Sequence, residues 1–329
     1  MSNRVQVTEY YQFAPEVVDT VGKMYERIDR YDSYGDLFQS TGAHTTKTVL
    51  PSKYYPTETQ IADIRPIDHD SEEALVVHLP MANPLDENMR YHLASLAIAH
   101  KDKRIIATAN PSGPGRKFDA LSRSRRSRLA GGDFRVASEG LAYFLESEGI
   151  TRTYEYGYSY GVDKALGNIA LDATEAQKVL LLEPASLTER SIGKLGLDFM
   201  SSDKAMQGYV EASGLPTYEV ARKDAIGPAA YAFGLGRLTN IATARAIARG
   251  DFADRFDEVM TNHVDLQAVL AWGTKSELAD HDTMSAIALG SEAKHGSHRV
   301  EHIKLEGQKH ALANHIGLQA ALTLEAFKD

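Results

Sequence analysis

A serine flanked by glycines is the clearest candidate for chemistry in this sequence. Ser159 lies in the segment Gly157-Tyr158-Ser159-Tyr160-Gly161. A serine hydroxyl is a weak nucleophile at neutral pH, and it needs an adjacent base and N–H donors for the oxyanion that forms during attack. Glycines two residues on either side permit a sharp strand-to-helix turn that exposes the hydroxyl. The segment therefore indicates Ser159 as a nucleophile.

The motif alone is weak evidence, and its surroundings strengthen it. With 25 glycines in 329 residues, a chance match arises in roughly one chain in ten. Here Arg152–Tyr156 has the pattern of a short strand, and Val162–Leu171 has the pattern of a helix. The alternative is a serine in an ordinary strand-to-helix turn without catalytic function.

His310 is the candidate general base. It follows a predicted strand, Arg299–Leu305, and precedes a predicted helix, Ala311–Phe327. A base on a loop at the carboxyl edge of a sheet can reach a serine at the same edge. A helix-capping or surface role for His310 is the alternative, and other histidines near the C-terminus compete for the role of base: His295, His298, His302 and His315.

Three of these histidines lie close together in sequence and raise the question of a metal site. The spacing of His295, His298 and His302 lacks a ligand pattern with carboxylates on one face. We expect neither a metal nor a cofactor.

The elements around the serine alternate between strand and helix. This order is typical of a parallel sheet with crossover connections. Two further strand patterns come before the alternation, and between about 185 and 260 no buried strand is visible, which favours an inserted helical cap. The predicted strands are Thr45–Leu50, Thr59–Pro66, Ala74–Leu79, Arg104–Ala109, Arg152–Tyr156, Lys178–Glu183, Leu266–Trp272 and Arg299–Leu305.

Residues 1–40 precede this pattern as an extension. Apolar residues of Pro15–Arg30 recur at the spacing of one helical face, so we predict a helix that packs on the main body or on a partner, including a second copy of the chain.

The charge and composition exclude several classes. A formal net charge of −9 argues against nucleic-acid binding, which needs a basic surface. An arginine-rich stretch is expected to be a solvated basic face or loop, with a small anionic ligand as the minor alternative: Arg123, Arg125, Arg126 and Arg128. We expect no signal peptide and no membrane span, and the absence of cysteine fits a cytoplasmic protein.

The serine segment, His310 and the loop Asn110–Gly115 together resemble the α/β-hydrolase superfamily, in its capped serine-hydrolase branch. The resemblance covers residues from about 45 to 329. It implies the α/β class with the α/β-hydrolase fold, in which a mostly parallel sheet is flanked by helices and carries an inserted helical cap. The expected core is 41–184 and 263–329, the expected cap is 185–262, and 1–40 is an N-terminal helical extension.

The resemblance also implies the oxyanion donors. In the family, a His-Gly pair follows the third strand, and Pro80-Met81 stands in its place here. The implied donors are the backbone N–H groups of Ala82 and of Tyr160, the residue after the nucleophile.

The acid that orients the histidine is open between two glutamates. The family usually places an aspartate after the seventh strand, and the matching position here is Ser276, with Glu277 beside it. Some members, including certain haloalkane dehalogenases, place the acid after the sixth strand instead. Glu183 matches that arrangement and is the preferred candidate, with Glu277 as the alternative.

The implied function is hydrolysis of an ester or related carbonyl compound, a small molecule, through an acyl-enzyme. A serine nucleophile argues against haloalkane dehalogenase and epoxide hydrolase chemistry, where the family uses aspartate. Esterase, lipase-like, amidase, carbon–carbon hydrolase and acyltransferase activities stay open. A non-catalytic ligand-binding or interaction protein that retains the fold is the alternative, because Ser276 and Pro80-Met81 depart from the family pattern.

Overall fold

One eight-stranded sheet organises the part of the chain that the computed structural model describes, residues 13–49, 59–66, 73–80, 85–109, 121–225 and 238–328. The strand order across the sheet is β1-β2-β4-β3-β5-β6-β7-β8. Strand β2 runs antiparallel to both of its neighbours, and all other pairs are parallel. The strands are β1 Thr46–Val49, β2 Thr59–Ile64, β3 Glu73–His78, β4 Arg104–Thr108, β5 Arg152–Tyr158, β6 Glu175–Leu182, β7 Gln267–Gly273 and β8 Val300–Leu305.

Helices connect and cover these strands. The α-helices of the described residues are α1 Pro15–Ile28, α2 Tyr34–Thr41, α3 Glu87–Ala99, α4 Arg123–Ala130, α5 Arg135–Ser147, α6 Tyr160–Ile169, α7 Ile192–Ala212, α8 Pro216–Asp224, α9 Leu238–Ala248, α10 Phe252–Asn262, α11 His281–His295 and α12 Ile316–Ala326, and a 3₁₀ helix spans His310–Asn314. The predicted α/β class and mostly parallel sheet are confirmed.

The central strands are apolar on both faces because helices cover both sides of the sheet. Along β6, Leu180 and Leu182 enter the core shared with α1, α3 and α12. The alternate residues Val179 and Leu181 enter a second core with α6, α10 and α11. This alternation follows the period of two in a strand, and it explains why the sequence shows an uninterrupted apolar run there.

The N-terminal helix α1 packs on the main body. Its buried residues repeat at helical spacing, and the helix contacts α3 and α12: Val17, Val21, Met24, Tyr25 and Ile28. The apolar face that the sequence predicted is therefore covered within the same chain. Residues 1–12 of the predicted extension lie outside the described residues.

The predicted cap range, 185–262, holds helices α7 to α10. Helix α9 packs against α4 and α7, and α7 packs against the 3₁₀ helix at His310. Helix α10 instead buries Phe252, Phe256 and Met260 in the core beside α6 and α11. The division into core and cap stays a prediction, and this last helix packs as part of the layer that flanks the sheet.

The arginine-rich stretch forms α4, and its residues differ in environment. Arg123 and Arg128 are exposed, as predicted for a solvated face. For Arg125 that prediction is wrong, because its guanidinium is buried and donates to the carboxylate of Glu139. A buried guanidinium needs such a partner to offset its lost hydration, and α5 supplies it.

Candidate active site

Ser159 occupies a strained turn between β5 and α6. Its backbone angles are φ 57° and ψ −122°, in the left-handed half of the map that residues with a side chain rarely adopt. The turn is tied to the neighbouring strand, because the Ser159 N–H donates to the carbonyl of Leu182 over 3.0 Å. This geometry is that of the predicted strand-to-helix elbow.

Both glycines of the serine segment lie where no side chain fits. A Cβ on Gly161 would stand 2.0 Å from the carbonyl oxygen of His78, at the end of β3. A Cβ on Gly157 would stand 2.7 Å from the carbonyl oxygen of Gly161. The close approach of α6 to β3 and β5 therefore requires glycine at both positions, which is the physical meaning of their spacing around the serine.

The imidazole of His310 lies beside this serine. Its Nε2 is 3.0 Å from Ser159 Oγ, within hydrogen-bond distance. His310 begins the 3₁₀ helix that follows β8, so it approaches from the carboxyl edge of the sheet. Both side chains are shielded, with 1% of Ser159 and 3% of His310 exposed.

Glu183 lies on the other side of the imidazole. Its Oε2 is 2.9 Å from His310 Nδ1, and the residue is fully buried directly after β6. With Nδ1–H donating to this carboxylate, Nε2 is free to accept the serine proton. The other candidate, Glu277, pairs with the ammonium of Lys309 over 3.8 Å. Of the two glutamates that the sequence left open, Glu183 is the one that reaches His310.

Two donors from the β7 edge hold the Glu183 carboxylate. The backbone N–H of Gly273 donates to Oε1 over 2.5 Å, and the hydroxyl of Ser276 donates to Oε2 over 2.5 Å. These two bonds hold the carboxylate where its Oε2 meets His310 Nδ1. In the sequence, Ser276 stands out only as a position without the expected aspartate, and no local pattern indicates its contact with Glu183.

The predicted oxyanion donors divide between described and undescribed residues. Tyr160 is the first residue of α6, where a backbone N–H has no acceptor within its own helix and lies at the positive end of the helix dipole. Ala82 lies outside the described residues, as does the loop Asn110–Gly115.

Side chains far away in sequence fix the backbone of the His310 loop. The hydroxyl of Tyr209, on α7, accepts from the N–H of Lys309 over 2.8 Å. Directly after the last residue of α7, Ser213 Oγ accepts a hydrogen bond from the N–H of Ile316 over 3.2 Å. These contacts join residues about a hundred positions apart, and no local pattern in the sequence could have indicated them.

A buried polar cluster anchors α6 to the sheet beneath the serine. Glu155 on β5 receives a hydrogen bond from Asn168 over 3.0 Å and lies 2.5 Å from His78 Nε2. Lys164 donates to Thr108 Oγ1 over 3.1 Å. Burial lowers the pKa of His78, although Glu155 acts in the opposite direction. Its members come from separate strands and a helix, so no local pattern in the sequence indicates this cluster.

Three of the four histidines that competed with His310 contact other residues. His295 lies 3.1 Å from Asp257, His302 lies 3.8 Å from Glu292, and His315 accepts from the N–H of Leu318 at the start of α12. No group of three or more metal-binding side chains occurs within the described ranges. Across those same ranges, no helix combines the length and the apolar character needed to cross a membrane.

Among comparisons with known proteins, only those with solved structures find a match to this chain. No family model matches the sequence, and neither does any curated protein. Solved structures do match. An esterase from Thermogutta terrifontis is 12% identical with a TM-score of 0.55, and the match covers 85% of this chain and 96% of that one. A serine hydrolase from the bacterium Cycloclasticus zankles is 13% identical with a TM-score of 0.56, covering 87% and 99%.

This chain has the α/β-hydrolase fold. A tetrameric haloalkane dehalogenase from Paraglaciecola agarilytica matches as well, at 11% identity with a TM-score of 0.55, covering 84% of this chain and 90% of that one. The resemblance to the α/β-hydrolases inferred from the sequence is thereby confirmed for the fold. At these identities the comparisons show the fold alone, because one fold hosts many different chemistries.

Proposed function

We propose that this protein is a serine hydrolase that cleaves an ester or related carbonyl substrate, a small molecule, through an acyl-enzyme. The observation that carries the proposal is the pair of contacts at His310, with Ser159 Oγ 3.0 Å from Nε2 and Glu183 Oε2 2.9 Å from Nδ1. A nucleophile, a base and an acid in this order form the constellation that activates a serine hydroxyl.

In the first half of the reaction, Ser159 Oγ attacks the substrate carbonyl carbon. His310 Nε2 takes the hydroxyl proton as the new carbon–oxygen bond forms, and the buried Glu183 carboxylate stabilises the imidazolium. The proton then passes from Nε2 to the leaving alcohol when the tetrahedral intermediate collapses. The product of this half is an ester of Ser159.

The second half repeats these steps with water as the nucleophile. His310 takes a proton from water, the water oxygen attacks the acyl carbon, and Ser159 Oγ leaves with the proton returned by Nε2. In both halves the carbonyl oxygen bears negative charge, and the proposed first donor to it is the Tyr160 N–H at the start of α6. The proposed second donor is the N–H of Ala82.

The fit of the acid supports catalysis over a non-catalytic role for the fold. The absence of an aspartate at Ser276 is one reason to consider a binding protein. Glu183 removes that reason, because its buried carboxylate already meets His310 Nδ1. A buried charge without a catalytic or structural use would cost stability. A catalytic role accounts for a carboxylate buried at this position.

A fluorophosphonate probe tests the proposal, since it labels only an activated serine. We expect stoichiometric labelling of the wild type, none in Ser159→Ala, and unchanged labelling in Ser127→Ala, which alters an exposed serine on α4. A series of p-nitrophenyl esters of graded chain length would then define the acyl group. Well-folded wild type that neither reacts with the probe nor turns over any ester would contradict the proposal and favour the binding protein.

A further inference from the structure

Tyr158, the residue before the nucleophile, contacts the base directly. Its ring stacks on the imidazole of His310 with a centroid distance of 5.4 Å and an angle of 30° between the planes. Its hydroxyl lies 2.9 Å from the backbone oxygen of the same histidine. One side chain therefore touches both the ring and the main chain of His310, across 152 positions of sequence.

The hydroxyl contact is a hydrogen bond that Tyr158 donates. Burial raises the pKa of its phenol well above the ordinary value, and the nearby Glu183 carboxylate adds to the effect. The phenol therefore keeps its proton, and a carbonyl oxygen can only accept. This bond fixes the main chain at the residue where the 3₁₀ helix begins.

The ring contact restrains the remaining freedom of the imidazole. Glu183 faces Nδ1 from the end of β6, Ser159 faces Nε2 from the elbow, and the Tyr158 ring covers one face. The preceding residue, Lys309, pairs with Glu277 through its ammonium, and its backbone N–H donates to Tyr209. Because the face of an aromatic ring carries partial negative charge, it also favours the imidazolium that forms during attack.

We propose that Tyr158 is a positioning residue that locks the imidazole of His310 in line with Ser159, an inference that rests on the proposed function. Tyr158 and Ser159 are neighbours in the elbow, so the same strained turn positions the nucleophile and the aromatic ring on which the imidazole of His310 stacks. A movement of the elbow therefore shifts Tyr158 and Ser159 together, and the imidazole that packs on Tyr158 stays aligned with Ser159. This alignment matters because a misplacement of reacting groups by about 1 Å costs about a hundredfold in rate.

Three variants separate the ring from the hydroxyl and from general loosening of β5. Tyr158→Phe keeps the ring, Tyr158→Leu removes it, and Tyr154→Leu removes a buried aromatic side chain from the same strand and face without touching His310. Tyr158→Met replaces the leucine variant if that one does not fold. The first readout is the downfield proton resonance of Nδ1–H bound to Glu183, assigned by its loss in His310→Gln. The second is kcat and KM on the best ester.

We expect the resonance to persist in Tyr158→Phe and Tyr154→Leu and to broaden or vanish in Tyr158→Leu. In Tyr158→Leu, kcat should fall between about fivefold and a hundredfold with little change in KM, because the ring acts on the base and not on substrate binding. An unchanged resonance and kcat in Tyr158→Leu, or an equal loss in Tyr154→Leu, overturns the inference. The resonance needs no turnover, so it tests Tyr158 even if the wild type hydrolyses no ester.

Discussion

The hydroxyl of Ser276 donates a hydrogen bond of 2.5 Å to the same oxygen of Glu183 that faces His310. Ser276 stands where the resemblance to α/β-hydrolases led us to expect the acid, directly after β7, and Glu183 stands at the end of the adjacent strand β6. The carboxylate thus comes from one loop and its hydroxyl support from the other. Since β6 and β7 pair in parallel, both loops meet at the same edge of the sheet.

Replacing each candidate acid by its amide should separate their roles. We expect Glu183→Gln to lower kcat by about a hundredfold to ten-thousandfold, because the amide no longer stabilises the imidazolium or fixes its tautomer. Glu277→Gln should change kcat less than threefold, since that carboxylate pairs with Lys309 near the surface. Steady-state kinetics on one ester, with both variants checked for folding by circular dichroism, make the comparison. A larger loss in Glu277→Gln would show that the acid has been wrongly placed.

The proximity of Ser276 to Glu183 predicts that the acid can be moved between loops. In the Glu183→Gln background, Ser276→Asp should recover at least about tenfold of the lost kcat, because the new carboxylate lies within reach of Nδ1. In the wild-type background the same change should lower kcat, since two carboxylates at hydrogen-bond distance cannot both stay ionised. Equal activity of Glu183→Gln with and without the new aspartate would refute the idea.

Local patterns in the sequence were sufficient to predict most of the sheet and the strand-to-helix turn at Ser159. Apolar runs predict β3, β4 and β7 to within about two residues. These strands are buried on both faces, so apolar residues follow one another without alternating polar ones. The sequence predicts that β5 ends at Tyr156, because Gly157 interrupts the strand pattern. In the structure the strand continues to Tyr158. That glycine is required by the elbow, so the same residue that identified the site obscured the end of its strand.

What the sequence could not supply are features that depend on distant residues or on sparse burial. Helix α11 went unpredicted since it buries only Met284 and Ala288, too few for a periodic pattern. The helix predicted from Ala311 begins instead as a 3₁₀ helix and restarts as α12 after His315, which caps it. The contact of Tyr158 with His310 arises only once β5 and β8 lie in one sheet.

The elbow glycines predict a large difference between two glycine-to-alanine changes. Gly161→Ala should destabilise the fold by about 3 kcal/mol or more, because its Cβ would meet the His78 carbonyl on a strand that cannot move aside. Gly22→Ala, in the exposed interior of α1 with open space around it, should stabilise by about 0.5–1 kcal/mol. Urea unfolding measures both. A Gly161→Ala variant as stable as the wild type would mean that α6 does not approach β3 this closely.

Three buried histidines predict that the fold is sensitive to acid. Burial lowers the pKa of each to about 4: His92, His100 and His315. A group with a depressed folded pKa contributes stability that is present above its unfolded value of 6.5 and is lost as the pH falls from there towards 4. Each histidine then removes up to about 3 kcal/mol. Burial raises the pKa of Asp86 to about 6, so that carboxyl acts with the opposite sign over the same range.

His315 allows this sensitivity to be tested at a single position, because its ring accepts a hydrogen bond from the Leu318 N–H as the N-cap of α12. Asparagine also caps helices well and does not titrate, so His315→Asn should match the wild type within about 1 kcal/mol at pH 7. At pH 4.5 it should be more stable by about 2 kcal/mol, since only the wild type must keep an imidazole neutral there. His44→Asn, at an exposed position, is the control and should follow the wild type at both pH values. Urea unfolding curves that shift equally with pH in all three proteins would show that His315 does not contribute to the acid sensitivity.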